Sequence, residues 1–278
     1  MPIALNEKQK LLDTARELRL MIIDVMAWSG GAHIGGSLSI VDILTILYFK
    51  YLKVDPENPK WEDRDRFILS KGHTAAGYIP VLAKRGFFSE EQLKSFNHFG
   101  SPFAMHPDSN KVVGCDASTG SLGHGLSMAA GLGLGARYLE KNYKTVCLLG
   151  DGECCEGSVW EAAMSISHFK LGNVITIVDR NRLMIDGFTE EIMSLEPFAD
   201  KWRAFGFEVI EIDGHNFDQL ADALDKAWAA IEKPVMILAN TIKGKGVDFM
   251  ENNVVYHYAS GDSAVCEKAK ASILKGGI

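Results

Sequence analysis

The sequence predicts an α/β protein built on a doubly wound parallel sheet with helices on both faces. Short apolar runs at 146–149, 174–178, 207–212 and 234–239 alternate with helix-length segments. Strands separated by helices point to right-handed βαβ units and parallel pairing. The runs are continuously apolar rather than alternating, as expected of strands covered on both faces. With 278 residues, 47% of them hydrophobic, the chain can fill the core of one large α/β domain, expected to span 1–278.

From the N-terminus, a helical pattern runs from Asn6 to Trp28, where Ser29-Gly30-Gly31 stops it. A second helix is expected from Ser39 to about Leu52, with Asp42 closing a capping box. The segment from Asp55 to Asp65 carries two prolines and reads as a loop, and Phe67-Ile68-Leu69 as a short buried strand. Ser89-Glu90-Glu91 marks another helix start. Residues 97–120 are rich in Gly, Pro, Asn, His and Ser with little periodicity, and an irregular stretch this long is usually functional. Helices are then expected over 124–140, 156–170, 195–205 and Asp218–Ile231, interleaved with the four strands.

Bulk properties exclude several classes. Net charge is −7 and no long basic run appears, which argues against nucleic acid. The opening MPIALNEKQK lacks the apolar core of a secretory signal, and no stretch approaches 18 uninterrupted apolar residues, so no membrane partner is expected. The five cysteines, Cys115, Cys147, Cys154, Cys155 and Cys266, are odd in number and show no C-x-x-C spacing, which fits a reduced, cytoplasmic location. Cys154 and Cys155 read as small buried or half-buried residues rather than a redox pair.

The chemistry concentrates between Gly150 and Gly187. Gly150-Asp151-Gly152-Glu153 follows one strand, and Asn181 follows the next, thirty residues after Asp151. In a βαβ unit both strands end on the same edge, where open α/β sheets bind ligands. A carboxylate and an amide oxygen are hard ligands suited to Mg²⁺, which usually also takes phosphate oxygens. Gly150 and Gly152 let a ligand approach the backbone, and the helix that follows aims its N-terminus there. A lone Gly-Asp-Gly is only a tight turn in most proteins; the spacing and flanking strands give this one weight.

These residues resemble the thiamine diphosphate and magnesium motif and, more narrowly, the N-terminal half of the transketolase family. Nearly the whole chain takes part. Pro56-Glu57-Asn58-Pro59-Lys60-Trp61, Asp63-Arg64-Asp65-Arg66-Phe67, Ser70-Lys71-Gly72-His73, Thr119-Gly120-Ser121-Leu122-Gly123, the metal motif and Ile185-Asp186-Gly187 follow in family order. The resemblance implies a thiamine diphosphate-binding fold in which Asp151, Asn181 and the Leu183 carbonyl hold Mg²⁺. Gly152 and Glu153 would lie at the diphosphate, Ile185 at the thiazolium, and Gly120, Ser121 and Leu122 at the aminopyrimidine. The family often has proline where Ser121 stands, and proline where Ile34 follows His33.

Four of the eight histidines occupy motif positions. By resemblance, His33 would face substrate, His73 the cofactor phosphate, His106 the donor hydroxyls, and His257 both cofactor and substrate. Tyr256-His257-Tyr258-Ala259 departs from the family pattern. Imidazoles suit a reaction that removes and returns hydroxyl protons near neutral pH. His98, His124, His168 and His215 take the structural reading. Lys243-Gly244-Lys245-Gly246 is either a phosphate-binding turn or a solvated one. Glu156 either complements a helix N-terminus or lies at a subunit interface between paired active sites.

The resemblance further implies that the pyrimidine-binding and C-terminal domains reside on a partner chain, the C-terminal transketolase subunit, in an α₂β₂ assembly acting on sugar phosphates. The expected activity is ketol transfer. Competing readings are a deoxyxylulose phosphate synthase-like or acyloin-type transfer, a non-catalytic cofactor-binding subunit, and a magnesium-dependent phosphohydrolase. The last would require more carboxylates at the strand ends than Asp151 alone.

Overall fold

The computed structural model describes residues 3–276, of the domain expected over 1–278. Helix α1 (Leu5–Ser29) ends where Gly30 adopts φ 75°, a left-handed cap that glycine accepts without a Cβ penalty. Then come strand β1 (Gly31–Ala32), helices α2 (Ile34–Ser39) and α3 (Val41–Ile46), and a π-helical turn, Leu47–Tyr51. Strand β2 (Arg66–Leu69) leads through a 3₁₀ turn, Gly72–Thr74, into α4 (Ala75–Arg85). After a 3₁₀ segment, Glu90–Ser95, the chain is irregular until α5 (Gly125–Tyr138) and β3 (Thr145–Gly150). A 3₁₀ turn, Gly152–Cys155, precedes α6 (Gly157–His168) and β4 (Val174–Arg180). Helices α7 (Thr189–Ile192) and α8 (Phe198–Ala204) lead to β5 (Glu208–Asp213), α9 (Phe217–Ala229) and β6 (Val235–Asn240). A 3₁₀ turn, Val254–His257, strand β7 (Ala259–Ser260) and α10 (Ser263–Lys275) complete the described chain.

Five strands form one all-parallel sheet in the order β2-β3-β4-β6-β5. Its two faces are sealed by different sets of helices. Val146, Leu148, Ile175, Ile177, Val235 and Ile237 pack with α1, α3, α4 and α9 residues such as Leu18, Ile43, Ile79 and Leu224. Their strand neighbours Cys147, Leu149, Val174, Val178, Met236 and Leu238 pack with Leu126, Val159, Ala163, Phe198 and Trp202 of α5, α6 and α8. Successive side chains of a strand point to opposite faces. Continuous apolar runs are therefore what a sheet covered on both sides requires.

Three expectations are corrected. Ser39 does not start a helix: it is the last residue of α2, and its hydroxyl donates to Asp179 across 2.7 Å. Asp42 closes no capping box; its carboxylate takes a bidentate grip from Arg19 (3.0 and 2.7 Å) and a bond from His215 Nδ1 at 2.7 Å. For both side chains a buried partner outcompetes the local backbone. The segment after Ser89 does make a capping box with Gln92, but continues only as 3₁₀ turns. Cys154 is buried as expected, whereas Cys155 is exposed. Helix α4 and the antiparallel β1–β7 pair had no counterpart in the sequence pattern. That pair brings the segment after His257 against Gly31, where a Cβ would stand 2.6 Å from the Tyr258 hydroxyl.

The Arg19–Asp42 pair is fully buried and ties α1 to α3, while His215 links it to the loop after β5. Burial pushes the Asp42 carboxyl up, but Arg19 and His215 outweigh it and hold it at about 2. Removing one partner leaves the other's charge buried without compensation. Asp42→Ala should lower unfolding free energy by about 3–5 kcal/mol, measured by urea denaturation. A loss under about 1 kcal/mol would show that the pair behaves like a solvent-exposed bridge.

Candidate active site

Four adjacent strands end side by side, and each delivers a polar side chain within three residues of its end. β2 is followed by Lys71, β3 by Asp151, β4 by Asn181 and β6 by Lys243. The register pairs Gly150 with Asp179 and Asp179 with Ala239, so these strand ends are level. Above them lies a cavity of about 420 Å³, lined by all four residues together with His33, His73 and His257.

One corner is a set of oxygen donors. Asp151 is 2% exposed; its Oδ1 accepts from the Gly152 amide at 2.7 Å, and its Oδ2 from the Arg182 amide at 2.6 Å and Arg180 at 3.2 Å. Burial and the nearby Asp179 charge push the Asp151 carboxyl up, against the pull of Arg180. A cation beside it would relieve that penalty. Asn181 Oδ1 accepts from the Leu183 amide at 3.1 Å, and the Leu183 carbonyl accepts from Lys243 at 2.9 Å. Asp151 Oδ1, Asn181 Oδ1 and the Leu183 carbonyl each keep a further lone pair. A carboxylate, an amide oxygen and a backbone carbonyl form a hard donor set that fits Mg²⁺ completed by phosphate oxygens and water. Among the described residues, no group of three or more His, Cys, Asp and Glu side chains could hold a metal.

Two lysines adjoin this corner. Lys71 is buried and donates to Asp179 at 2.6 Å. Lys243 is 2% exposed, and its partners are the Leu183 and Met184 carbonyls and His257 Nδ1, at 2.9, 3.0 and 2.9 Å. None of the three is a carboxylate. Burial, then Lys71, pulls its ammonium down to about 8. A polyanion here would restore what desolvation removed.

Three histidine rings pack together beside the lysines. His33 meets His73 and His257 edge-on at centroid separations of 5.2 and 5.4 Å, and His73 stacks on His257 at 5.6 Å. Burial, then the charge of Lys71, pulls His73 down to about 2, and burial, then Lys243, pulls His257 down to about 3. His33 is lowered as well, first by burial and then by His106 and Lys243. All three are neutral at pH 7. An ammonium only donates, so His257 Nδ1 accepts from Lys243 and the ring proton sits on Nε2. His33 Nδ1 is buried with no hydrogen-bond partner among the described residues.

Gly120, Leu122, Gly152, Glu153 and Ile185 also line the cavity. Glu153 is buried, and its carboxylate is taken up by the Ser70 hydroxyl and the amides of Gly123 and Gly150, so it knits three loops together. Ile185 stands at the mouth, 65% exposed. Ser121, His106 and Glu156 are exposed and do not line this cavity; the His106 ring instead packs on Gly120, 2.9 Å from where a Cβ would be. His215, expected to be structural, bonds Asp42 and the Ile242 amide. Motif reasoning gave no role to Lys71 or Asp179 and left Lys243 open. Their shared signal was position: each lies at or just after the carboxyl end of a buried strand.

The family model described as "Transketolase, thiamine diphosphate binding domain" matches residues 9–273. A 6-deoxy-6-sulfo-D-fructose transketolase subunit of Clostridium sp. (strain MSTE9) is 42% identical over 98% of this chain and all of its own length. An apulose-4-phosphate transketolase subunit of Phocaeicola vulgatus is 40% identical over 90% of this chain and 89% of its own. A solved transketolase of Campylobacter jejuni superposes with a TM-score of 0.90 at 32% identity, covering 97% of this chain. This chain spans only 43% of that protein.

The imidazoles can be watched directly. In ¹H NMR titrations of the chain, His73 and His257 should show no titration between pH 5 and 8. A folded-state value far below the ordinary 6.5 means the unfolded chain binds the proton first. Stability should therefore fall as pH drops below 6.5. His73→Gln should lose less of its urea midpoint between pH 6.5 and 5 than the parent chain; equal losses would place the His73 ring in water.

Proposed function

The chain belongs to the transketolase family as a subunit of a thiamine diphosphate-dependent transketolase, and from that premise we propose that it is the diphosphate- and magnesium-binding half of a two-polypeptide enzyme. It moves a two-carbon ketol unit between sugar phosphates or similarly anionic sugars. The pyrimidine-binding and C-terminal domains are assigned to a partner chain, the assembly being α₂β₂ and cytoplasmic. The observation that carries the reading is the shared cavity: Asp151, Asn181 and the Leu183 carbonyl, with Lys71 and Lys243 beside them and three neutral histidines next to the lysines. Supporting the partner are relatives of matching length that are named as subunits. Exposed apolar side chains add to this: Met128 and Tyr138 on α5, Met164 on α6, and Phe188, Ile192 and Met193 near the mouth.

When bound, thiamine diphosphate supplies the electron sink for breaking and remaking a ketose C–C bond. In this reading Asp151, Asn181 and Leu183 hold Mg²⁺, and Lys71 and Lys243 offset the charge of the diphosphate. His257 presents its Nε2 proton as a donor, an orientation that Lys243 maintains through Nδ1. The neutral His33 ring, which lines the cavity, can exchange a proton with a sugar hydroxyl. The apolar Leu122, Met184 and Ile185 keep water from the reacting end once the partner covers the mouth. His106 acts at the rim, on the part of the donor that projects from the cavity. Glu156, outside the cavity, is assigned to the subunit interface.

Two assays test this. Ketol transfer from xylulose 5-phosphate, apulose 4-phosphate or 6-deoxy-6-sulfofructose should be absent with either polypeptide alone and appear with both; full activity from this chain alone would overturn the split-enzyme reading. In the assembled enzyme, Asp151→Ala should weaken magnesium-dependent cofactor binding about a hundredfold, or ~2.8 kcal/mol, by calorimetry. Unchanged affinity in both Asp151→Ala and Asn181→Ala would remove the metal assignment.

A further inference from the structure

Asp179 is fully buried, never reaches the cavity lining, and nonetheless gathers four donors. Its Oδ2 accepts from Ser39 Oγ at 2.7 Å, Lys71 Nζ at 2.6 Å and Asn181 Nδ2 at 2.9 Å; its Oδ1 accepts from the Thr241 hydroxyl. The donors come from the end of α2 and from the segments after β2, β4 and β6. We propose that Asp179 is a positioning residue that locks the Asn181 side-chain amide in one orientation, with its oxygen presented to the metal corner. This rests on the assignment of Asn181 as a metal ligand.

The lock is a matter of donors and acceptors. An ionised carboxylate only accepts, and a backbone N–H only donates. Asn181 lies between one of each: Nδ2 on Asp179 and Oδ1 on the Leu183 amide. Flipping the amide by 180° would set two acceptors against each other on one side and two donors on the other. Both original bonds would be lost inside a buried site, where unmet polar groups are costly. Only one rotamer satisfies both neighbours, and it leaves the second lone pair of Oδ1 free. Lys71 is held by the same carboxylate and by the Gly36 carbonyl at 3.2 Å, so one residue fixes a cation and a ligand together. Strand alternation makes this possible. Asp179 and Asn181 share one side of the chain, and Arg180 between them takes the other, toward Asp151, Thr189, Glu190 and Glu196.

The test is the metal preference of the assembled enzyme at saturating thiamine diphosphate. Mg²⁺ demands near-ideal octahedral geometry, whereas Ca²⁺ tolerates irregular sites. Asp179→Ala should therefore weaken Mg²⁺ at least tenfold, as loss of an outer-shell partner commonly does, and Ca²⁺ by less than about threefold. Asp179→Asn, which keeps the volume, should show the same bias in smaller measure if the alanine variant does not fold. In an Asn181→Ala background, either change at 179 should alter Mg²⁺ affinity no further. Equal losses for both metals, or an undiminished effect in that background, would make Asp179 merely structural and overturn the proposal. Parent-like affinities for both metals in the Asp179 variants, with Asn181→Ala impaired, would sink it alone. A parent enzyme that binds the cofactor without any metal would sink the functional reading as well.

Discussion

Along β3, β4 and β6, every second side chain is buried under one layer of helices and the rest under another. A sheet sealed this way has no face left for chemistry. Polar groups that must meet a ligand can leave it only at an edge. Parallel strands collect all their carboxyl ends on the same edge. Lys71, Asp151, Asn181 and Lys243 are neighbours in space because they are equivalents in the βαβ repeat, although more than 170 residues separate the first from the last.

The price of that edge is desolvation, and it organises the electrostatics. Buried cations and carboxylates must be paired or lose their charge. Lys71 has Asp179, and Asp151 has Arg180. Among the described residues Lys243 bonds two carbonyls and an imidazole, and three histidines remain neutral. The cavity therefore holds a buried lysine without a carboxylate hydrogen-bond partner close to an under-compensated carboxylate. A diphosphate with a divalent cation answers both at once, and neither component alone does. Neutral imidazoles beside it can accept or donate a proton without first shedding one to solvent.

Much of this architecture was legible in the residues. The four apolar runs, the Ser29-Gly30-Gly31 stop and the Asp151–Asn181 spacing depend on local pattern, and local pattern survives in a sequence. Helix α4 was hidden for two reasons: Pro80 stands inside it, and Ala75 to Ala83 are all buried, which erases the polar–apolar period. Ser39 and Asp42 misled because their partners, Asp179, Arg19 and His215, are distant in sequence. The β1–β7 pair is two residues long and joins positions some 230 apart, beyond any local rule. At the site, motif order placed Asp151, Asn181, His33, His73 and His257 around one cavity. It could not foretell that His106 and Ser121 would stand outside its lining, nor that a lysine in a glycine-rich turn, Lys243, would be nearly sealed from water.

The tripeptide Asp179-Arg180-Asn181 has a consequence for how this chain can vary. Its middle residue faces away from the two that flank it and clamps the segment carrying Glu190 and Glu196. Substitution of the middle residue would loosen that clamp and the Asp151 carboxylate that it also holds, while the flanking pair answers to the cavity side. Length is another matter. Inserting or deleting one residue in β4 would exchange the two sides, turning a guanidinium into the cavity and two cavity-side groups out of it. At this strand end the count of residues is as constrained as their identity.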